Sequence, residues 1–202
     1  YAEQTPQEEK EFAMFMAEFS NTLTLLKEKY PVFQFKGVEA DDIAAYISMN
    51  LDKYGLDECW MVSSDKDWDL LINDRVSRFS TVTRKETTVH NWDEHYDFEI
   101  PDYITFKCLT GDKGDNVPGI PGIGPKRAVQ LMEQYGDVFD IYNACPIDGK
   151  YKYIQNLNEN AEQLLTNVEL MDLITYSETA IGEENTEVIN TTLLRHLDEN
   201  RL

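Results

Sequence analysis

The sequence predicts an α/β core, with a mostly parallel sheet flanked by helices, followed by a helical portion containing a helix-hairpin-helix motif. Three observations predict it. Up to about Pro101, short apolar runs alternate with amphipathic segments of helical period, the signature of strands and helices layered on one another. Beyond Pro101 every periodic segment is helical. Between them Gly111 to Gly124 is dense in Gly, Pro and Asp. The expected division is therefore 1–110 for the α/β part and 111–202 for the hairpin and the C-terminal helices.

Thr5 and Pro6 read as N-cap and first helical residue. Phe12, Phe15, Phe19, Leu23 and Leu26 then recur at three- and four-residue steps, predicting an amphipathic helix stopped near Tyr30 by Pro31. Val32–Phe35 is a short strand candidate. Gly37–Met49 opens with acids and continues as a helix. Cys59–Val62 reads as a buried strand. Trp68–Ile72 begins another helix, Val76–Val82 is a strand and Thr87–Val89 its partner. Ile104–Leu109, Lys126–Tyr135, Val138–Ala144, Tyr153–Leu173 and Val188–Leu197 are read as helices.

Charge is the unusual quantity: 18 Lys and Arg against 38 Asp and Glu give a net charge of −20 over 202 residues. Such a field repels nucleic acid and anionic membranes unless cations are bound or basic residues are gathered locally. The three cysteines are widely spaced, which predicts neither disulfides nor a zinc site and favours a reducing, cytoplasmic compartment. No apolar run approaches ~18 residues, so no membrane span is expected. The chain opens on Tyr1 without an initiator methionine, a start expected to lie inside a longer protein.

Three acidic groups fall where strands end or helices begin. Glu39, Asp41 and Asp42 open a helix. One acid there would need no role beyond capping, but three in four residues repel one another. Asp65 and Asp67 follow the strand Cys59–Val62, at the edge where open α/β sheets bind ligands. In extended chain both would point to one side. Asp112 and Asp115 lie in the glycine-rich loop. Seven carboxylates with no histidine or cysteine among them make a hard, all-oxygen donor set, suited to Mg²⁺ or Mn²⁺ rather than zinc. Seven exceed the need of one Mg²⁺, and two ions ~4 Å apart would suit in-line phosphoryl displacement.

Gly119-Ile-Pro-Gly122-Ile-Gly124-Pro-Lys126-Arg127 follows at once. Gly122 and Gly124 permit a turn whose N–H groups approach an anion closely, and a helix N-terminus is itself an anion site. Lys126 and Arg127 oppose the helix dipole there, which points to an external phosphate. This helix-hairpin-helix pattern grips a nucleic-acid backbone without reading bases. The cations Arg75, Arg78, Arg84 and Lys85, with no acid among them after Asp74, add a second basic stretch.

In order and spacing these motifs resemble the flap endonucleases and 5′→3′ exonucleases of bacteriophages, related to the 5′-nuclease part of bacterial DNA polymerase I. The segments that carry the resemblance are Gly37–Tyr46, Ser63–Asp69, Gly111–Asn116 and Gly119–Arg127. It implies a PIN-like nuclease core, with Glu39, Asp41 and Asp42 serving one metal and Asp65, Asp67, Asp112 and Asp115 the other. It implies a hairpin, in its helix–three-turn–helix form, that holds duplex DNA. In some members the hairpin binds K⁺ through backbone carbonyls, an expectation extended to Val117–Ile123. The family also begins with a strand bearing a ligand aspartate, a second strand-end aspartate and a basic helical arch. None of these falls within 1–202. An N-terminal segment, on this polypeptide or an associated fragment, is expected to complete the site, and residues 1–202 alone are expected to be feebly active.

The expected function is that of a structure-specific 5′ nuclease of phage replication and repair. Its expected substrates are flap or other 5′-ended branched DNA, cut with two Mg²⁺ ions for which Mn²⁺ substitutes. Lys107 is the candidate for contacting the scissile phosphate; Gly122, Gly124, Lys126, Arg127, Arg84 and Lys85 are the candidates for holding DNA. The chain is expected to be a monomer without membrane contact. A single-strand ribonuclease sharing the acidic edge is the enzymatic alternative, against which the hairpin argues. A non-catalytic DNA-binding remnant is the alternative from another class.

Overall fold

The computed structural model of the protein describes residues 5–200; Tyr1, on which the expectation of a longer protein rests, lies outside the described residues. In chain order the elements are α1 (Pro6–Lys27), α2 (Ala40–Met49), α3 (Leu51–Tyr54), β1 (Cys59–Val62), β2 (Val76–Ser80), β3 (Lys85–Thr87) and α4 (Tyr103–Thr110). There follow the short strands β4 (Gly111–Asp112) and β5 (Val117–Pro118), then α5 (Pro125–Tyr135), α6 (Val138–Ala144), α7 (Lys152–Glu159), α8 (Ala161–Met171), α9 (Leu173–Ile181) and α10 (Glu183–Asn200). The described residues form two compact units, one of the residues up to Val38 together with those from Gly182, the other Glu39–Ile181.

In the first unit α1 starts as the sequence predicts. Thr5 Oγ1 accepts from the Glu8 N–H at 3.3 Å while the Glu8 carboxylate accepts from the Thr5 N–H at 2.7 Å, a reciprocal capping box. The helix ends at Lys27, before the expected Tyr30. Its expected core face is exposed, Phe12 at 55% and Phe15 at 61%. Val32–Phe35 is not a strand: it has no ladder partner among the described residues, and Phe33 stacks on Phe35 at 6.3 Å.

The second unit carries the α/β part. β1 pairs with β2 in parallel, Cys59 opposite Val76 and Val62 opposite Phe79, and β3 closes the other side of β2 antiparallel. β1 is not the buried strand expected: it is an outer strand of the three, and only Met61 is buried, with Trp60 and Val62 exposed. β2 stops at Ser80 because the chain reverses there, Arg84 taking φ 57° and donating its N–H to Ser80 O at 2.9 Å. The expected helix at Trp68 is a 3-10 turn, Asp67–Leu71.

Two apolar cores fill this unit. One gathers Ala45, Leu51, Met61, Leu70, Leu71, Ile72, Val76 and Trp92 under α2 and the sheet. The other gathers Leu109, Ile120, Ile123, Leu131, Ile141, Leu157 and Leu164 among the helices from α4 to α8. Residues on both sides of 110/111 belong to the second unit, and α4 contributes to both of its cores: Tyr103 packs in the first, Cys108 and Leu109 in the second. The long helix expected over Tyr153–Leu173 breaks at Asn160, whose φ of −123° leaves the helical region and whose side chain caps Asn156 O at 2.8 Å. Helix α9, absent from the sequence-based expectation, packs on α2. The three cysteines are free, and no helix among the described residues is long and apolar enough to cross a membrane.

Candidate metal centre and hairpin

The acidic centre is assembled from three segments of the second unit, the turn after β1, the β4–β5 hairpin and the start of α2. Asp67 opens the 3-10 turn after β1, Asp112 ends β4, and Asp115 lies in the β4–β5 turn. Carboxylate oxygens of Asp67, Asp112 and Asp115 lie within 4.8 Å of one another. Glu39 and Asp41, at the start of α2, line a cavity of about 300 Å³ together with Asp67 and Asp115. Trp68 Nε1 donates to Asp41 Oδ1 at 2.8 Å, holding that carboxylate toward the turn. Asp42 neighbours Glu39 and Asp41. Asp65 is exposed; its Oδ1 accepts the Asp67 N–H at 3.0 Å. The chain here is therefore turned, not extended, and Asp65 and Asp67 do not simply share a strand face as expected.

Like charges in a confined space leave their mark on the carboxyls. Burial raises the Asp41 pKa above the ordinary carboxylate value against the Trp68 hydrogen bond, with help from the charges of Asp65 and Asp115. Burial likewise raises Asp67, opposed by Lys107. Asp112 is lowered, chiefly by its hydrogen bond from Lys107. Lys107 Nζ donates to Asp67 Oδ1 at 2.6 Å and to Asp112 Oδ2. Burial disfavours its charge, but these hydrogen bonds outweigh that and raise its pKa. An ammonium thus sits between two carboxylates. It stands in for part of the positive charge that so concentrated an acidic set requires. The donor set is all oxygen and fits a hard divalent cation.

The hairpin follows from the same turn. Gly111 has φ +74°, and a Cβ on it would lie 2.2 Å from Gly119 N; one on Gly119 would lie 2.2 Å from Thr110 C. Neither position admits a side chain. The turn after β5 closes by Ile123 N–H donating to Ile120 O at 3.0 Å, and Gly124 is the N-cap of α5. The fully buried Asn167 of α8 donates to Cys108 O and Pro118 O, each at 2.9 Å. Asn167→Ala would leave both carbonyls without that donor. It is expected to cost about 1–3 kcal/mol, read as a lower denaturant midpoint at unchanged slope.

Gly122, Gly124, Lys126 and Arg127 are exposed. Arg127 is also engaged within the hairpin: Nη1 donates to Gly122 O at 2.5 Å and the guanidinium lies 4.5 Å from the Tyr153 ring centroid. The basic stretch divides. Arg84 and Lys85 are exposed, but Arg75 is tied to Asp52 at 2.6 Å and to the Asp57 carbonyl, and Arg78 is buried against Asp69. The four cations therefore do not form the one basic stretch expected, because Arg75 and Arg78 have internal partners. Trp68, Asn167 and Tyr153 are positioning residues that sequence reasoning missed. Only Trp68 lies in one of the segments that carry the resemblance, Ser63–Asp69.

A carboxylate cluster on the edge of an α/β core, with a glycine hairpin following it in the chain, fits a 5′-nuclease architecture. Residues 99–192 match the family model described as 5′-3′ exonuclease, C-terminal SAM fold. The chain is 40% identical over 191 residues to the flap endonuclease of Escherichia phage T5, covering 94% of this chain and 65% of the relative. It is 31% identical over 160 residues to the 5′-3′ exonuclease of Halalkalibacterium halodurans, covering 76% and 53%. Among solved structures, T5 D15 protein co-crystallised with metal ions superposes with a TM-score of 0.90 at 38% identity, over 97% of this chain and 73% of that one. The bacteriophage T5 flap endonuclease in a pseudo-enzyme–product complex with DNA and metal ions does so at 0.90 and 37%, over 98% and 74%. The chain belongs to the family of the flap endonucleases and 5′-3′ exonucleases. It spans about two thirds or less of the length of the curated relatives it matches.

Proposed function

We propose that this protein is a structure-specific 5′ nuclease that hydrolyses phosphodiesters of 5′-ended, branched DNA in phage replication and repair. The observation that carries this is the convergence of carboxylate oxygens of Asp67, Asp112 and Asp115 within 4.8 Å, with Glu39 and Asp41 lining the same cavity as Asp67 and Asp115. Asp67, Asp112 and Asp115, with Asp65 alongside, would hold one divalent cation, and Glu39 and Asp41, with Asp42 alongside, a second. Mg²⁺ is the proposed ion, with Mn²⁺ as substitute. When bound, such ions supply charge that activates the attacking water and stabilises the leaving oxygen.

The chain's own groups do the rest. The carboxylates orient and hold, and carry no proton of the reaction. Lys107 Nζ, which donates to Asp67 Oδ1 and Asp112 Oδ2, is the side chain that would donate to the phosphate being cut. The N–H groups around Gly122 and Gly124, with Lys126, hold a backbone phosphate away from the cut. Exposed Arg84 and Lys85 extend this hold. K⁺ at Val117–Ile123 would need the second lone pairs of carbonyls, since those of Pro118, Ile120, Pro121 and Gly122 each already accept a hydrogen bond. The acidic centre favours this enzyme over a non-catalytic DNA-binding remnant, which would have no use for it.

The test is cleavage of an end-labelled 5′-flap substrate with Mg²⁺ and with EDTA; equal cleavage in both sinks the metal-dependent reading. Lys126→Ala is expected to weaken binding equally on all sequences and to flatten its salt dependence by about one unit of slope. Arg127→Ala is expected to do the same and also to loosen the turn, because Gly122 O loses its donor. Binding isotherms at several salt concentrations check both, and a changed base preference at unchanged slope counts against them.

A further inference from the structure

We propose that Arg78 is a positioning residue for the acidic centre, pinning both ends of the Ser63–Asp69 loop on which Asp65 and Asp67 stand. This rests on the proposed cation-binding role of that centre. Arg78 lies in the middle of β2, opposite Met61 of β1 and Thr87 of β3. Its guanidinium and the Asp69 carboxylate are buried, with side-chain exposures of 6% and 1%. Nε donates to Asp69 Oδ1 and Nη2 to Oδ2 at 2.9 Å, while Nη1 donates to Ser63 O at 3.1 Å and Nη2 also to Thr87 Oγ1 at 3.2 Å. Tyr96 OH donates to the same Asp69 Oδ2 at 2.5 Å, and Tyr103 OH donates to Lys66 O at 2.7 Å. One planar group therefore fixes the loop where it leaves β1, at Ser63, and again at Asp69, in the middle of the 3-10 turn. Tyr103 fixes the point between.

A buried ion pair is a poor device for stability alone, because desolvating both charges consumes most of the attraction. It is a good device for fixing geometry. The rigid guanidinium fork meets two carboxylate oxygens and a carbonyl at once, which the single ammonium of lysine does not. Groups that orient metal ligands typically change metal affinity 10- to 100-fold when lost.

The test measures Mn²⁺ binding calorimetrically on the intact protein, Arg78→Lys, Tyr103→Phe and, as a control, Arg75→Lys, whose contacts lie at Asp52, Leu56 and Asp57. Arg78→Lys is expected to weaken Mn²⁺ binding ~10-fold or more and Tyr103→Phe severalfold, with Arg75→Lys unchanged. DNA binding without metal is expected to stay at the unsubstituted level in all. Cleavage by Arg78→Lys is expected to recover toward the unsubstituted rate as Mn²⁺ is raised. Unchanged Mn²⁺ affinity in Arg78→Lys, with only a lower melting temperature, would make the pair a brace and overturn the proposal. If Arg78→Lys does not fold, Tyr103→Phe, which leaves the ion pair intact, decides in the same way. Failure of the unsubstituted protein to bind Mn²⁺ would overturn the cation-binding role itself.

Discussion

Asp65→Asn with Asp67→Asn is expected to lower the cleavage rate at least about a thousandfold while DNA binding is kept or tightened. Metal ions contribute several kcal/mol of transition-state stabilisation, and each 1.36 kcal/mol is tenfold in rate, so ~10³ is a lower bound for losing one site. The fold should survive. The Asx-type contact from Asp67 N–H to residue 65 needs only a side-chain oxygen, which asparagine keeps, and Lys107 retains Asp112. The substitutions remove two negative charges from a surface that repels phosphate. Single-turnover cleavage beside a binding isotherm separates the two effects. A double variant cutting at the unsubstituted rate with Mg²⁺ would remove these acids from the site.

Divalent cations are expected to raise the melting temperature substantially. At a thousandfold excess over Kd one site contributes about 4 kcal/mol, or roughly 10 °C for a chain of this size. The sign with pH follows from the raised carboxyls. In the ion-free chain Asp41 and Asp67 lie above their ordinary values. They cost stability once the pH exceeds the range where the unfolded chain ionises, and cost nothing below it. Bound cations favour the ionised form, so the metal-dependent gain grows as pH rises from that range. Scans with Mg²⁺ and with EDTA at two pH values measure it. A gain independent of pH would place the ions elsewhere.

The acids and glycines of the centre were legible because their chemistry is local: charges crowded at strand ends, and a turn that needs glycine. The cation inventory was not, because Arg78 and Arg84 read alike in the sequence, yet one is buried against Asp69 and the other exposed. Partnership is a tertiary fact. The same holds for Asn167, whose two carbonyl partners lie 59 and 49 residues away. Helix starts with caps, as at Thr5, were placed to the residue. The strand Cys59–Val62 has its expected bounds, but the end of β2 does not: it stops at Ser80 because of a backbone reversal at Arg84 that no sequence period announces.

The contact between Gly111 and Gly119 sets a length. Acidic turn and glycine hairpin are joined there main chain to main chain, with no side chain between them. In a nuclease of this build the distance from the cut to the grip would then be counted out by the backbone. Side-chain substitutions in the hairpin would change how hard the DNA is held, whereas only an insertion or deletion between these glycines would move the cut along the strand.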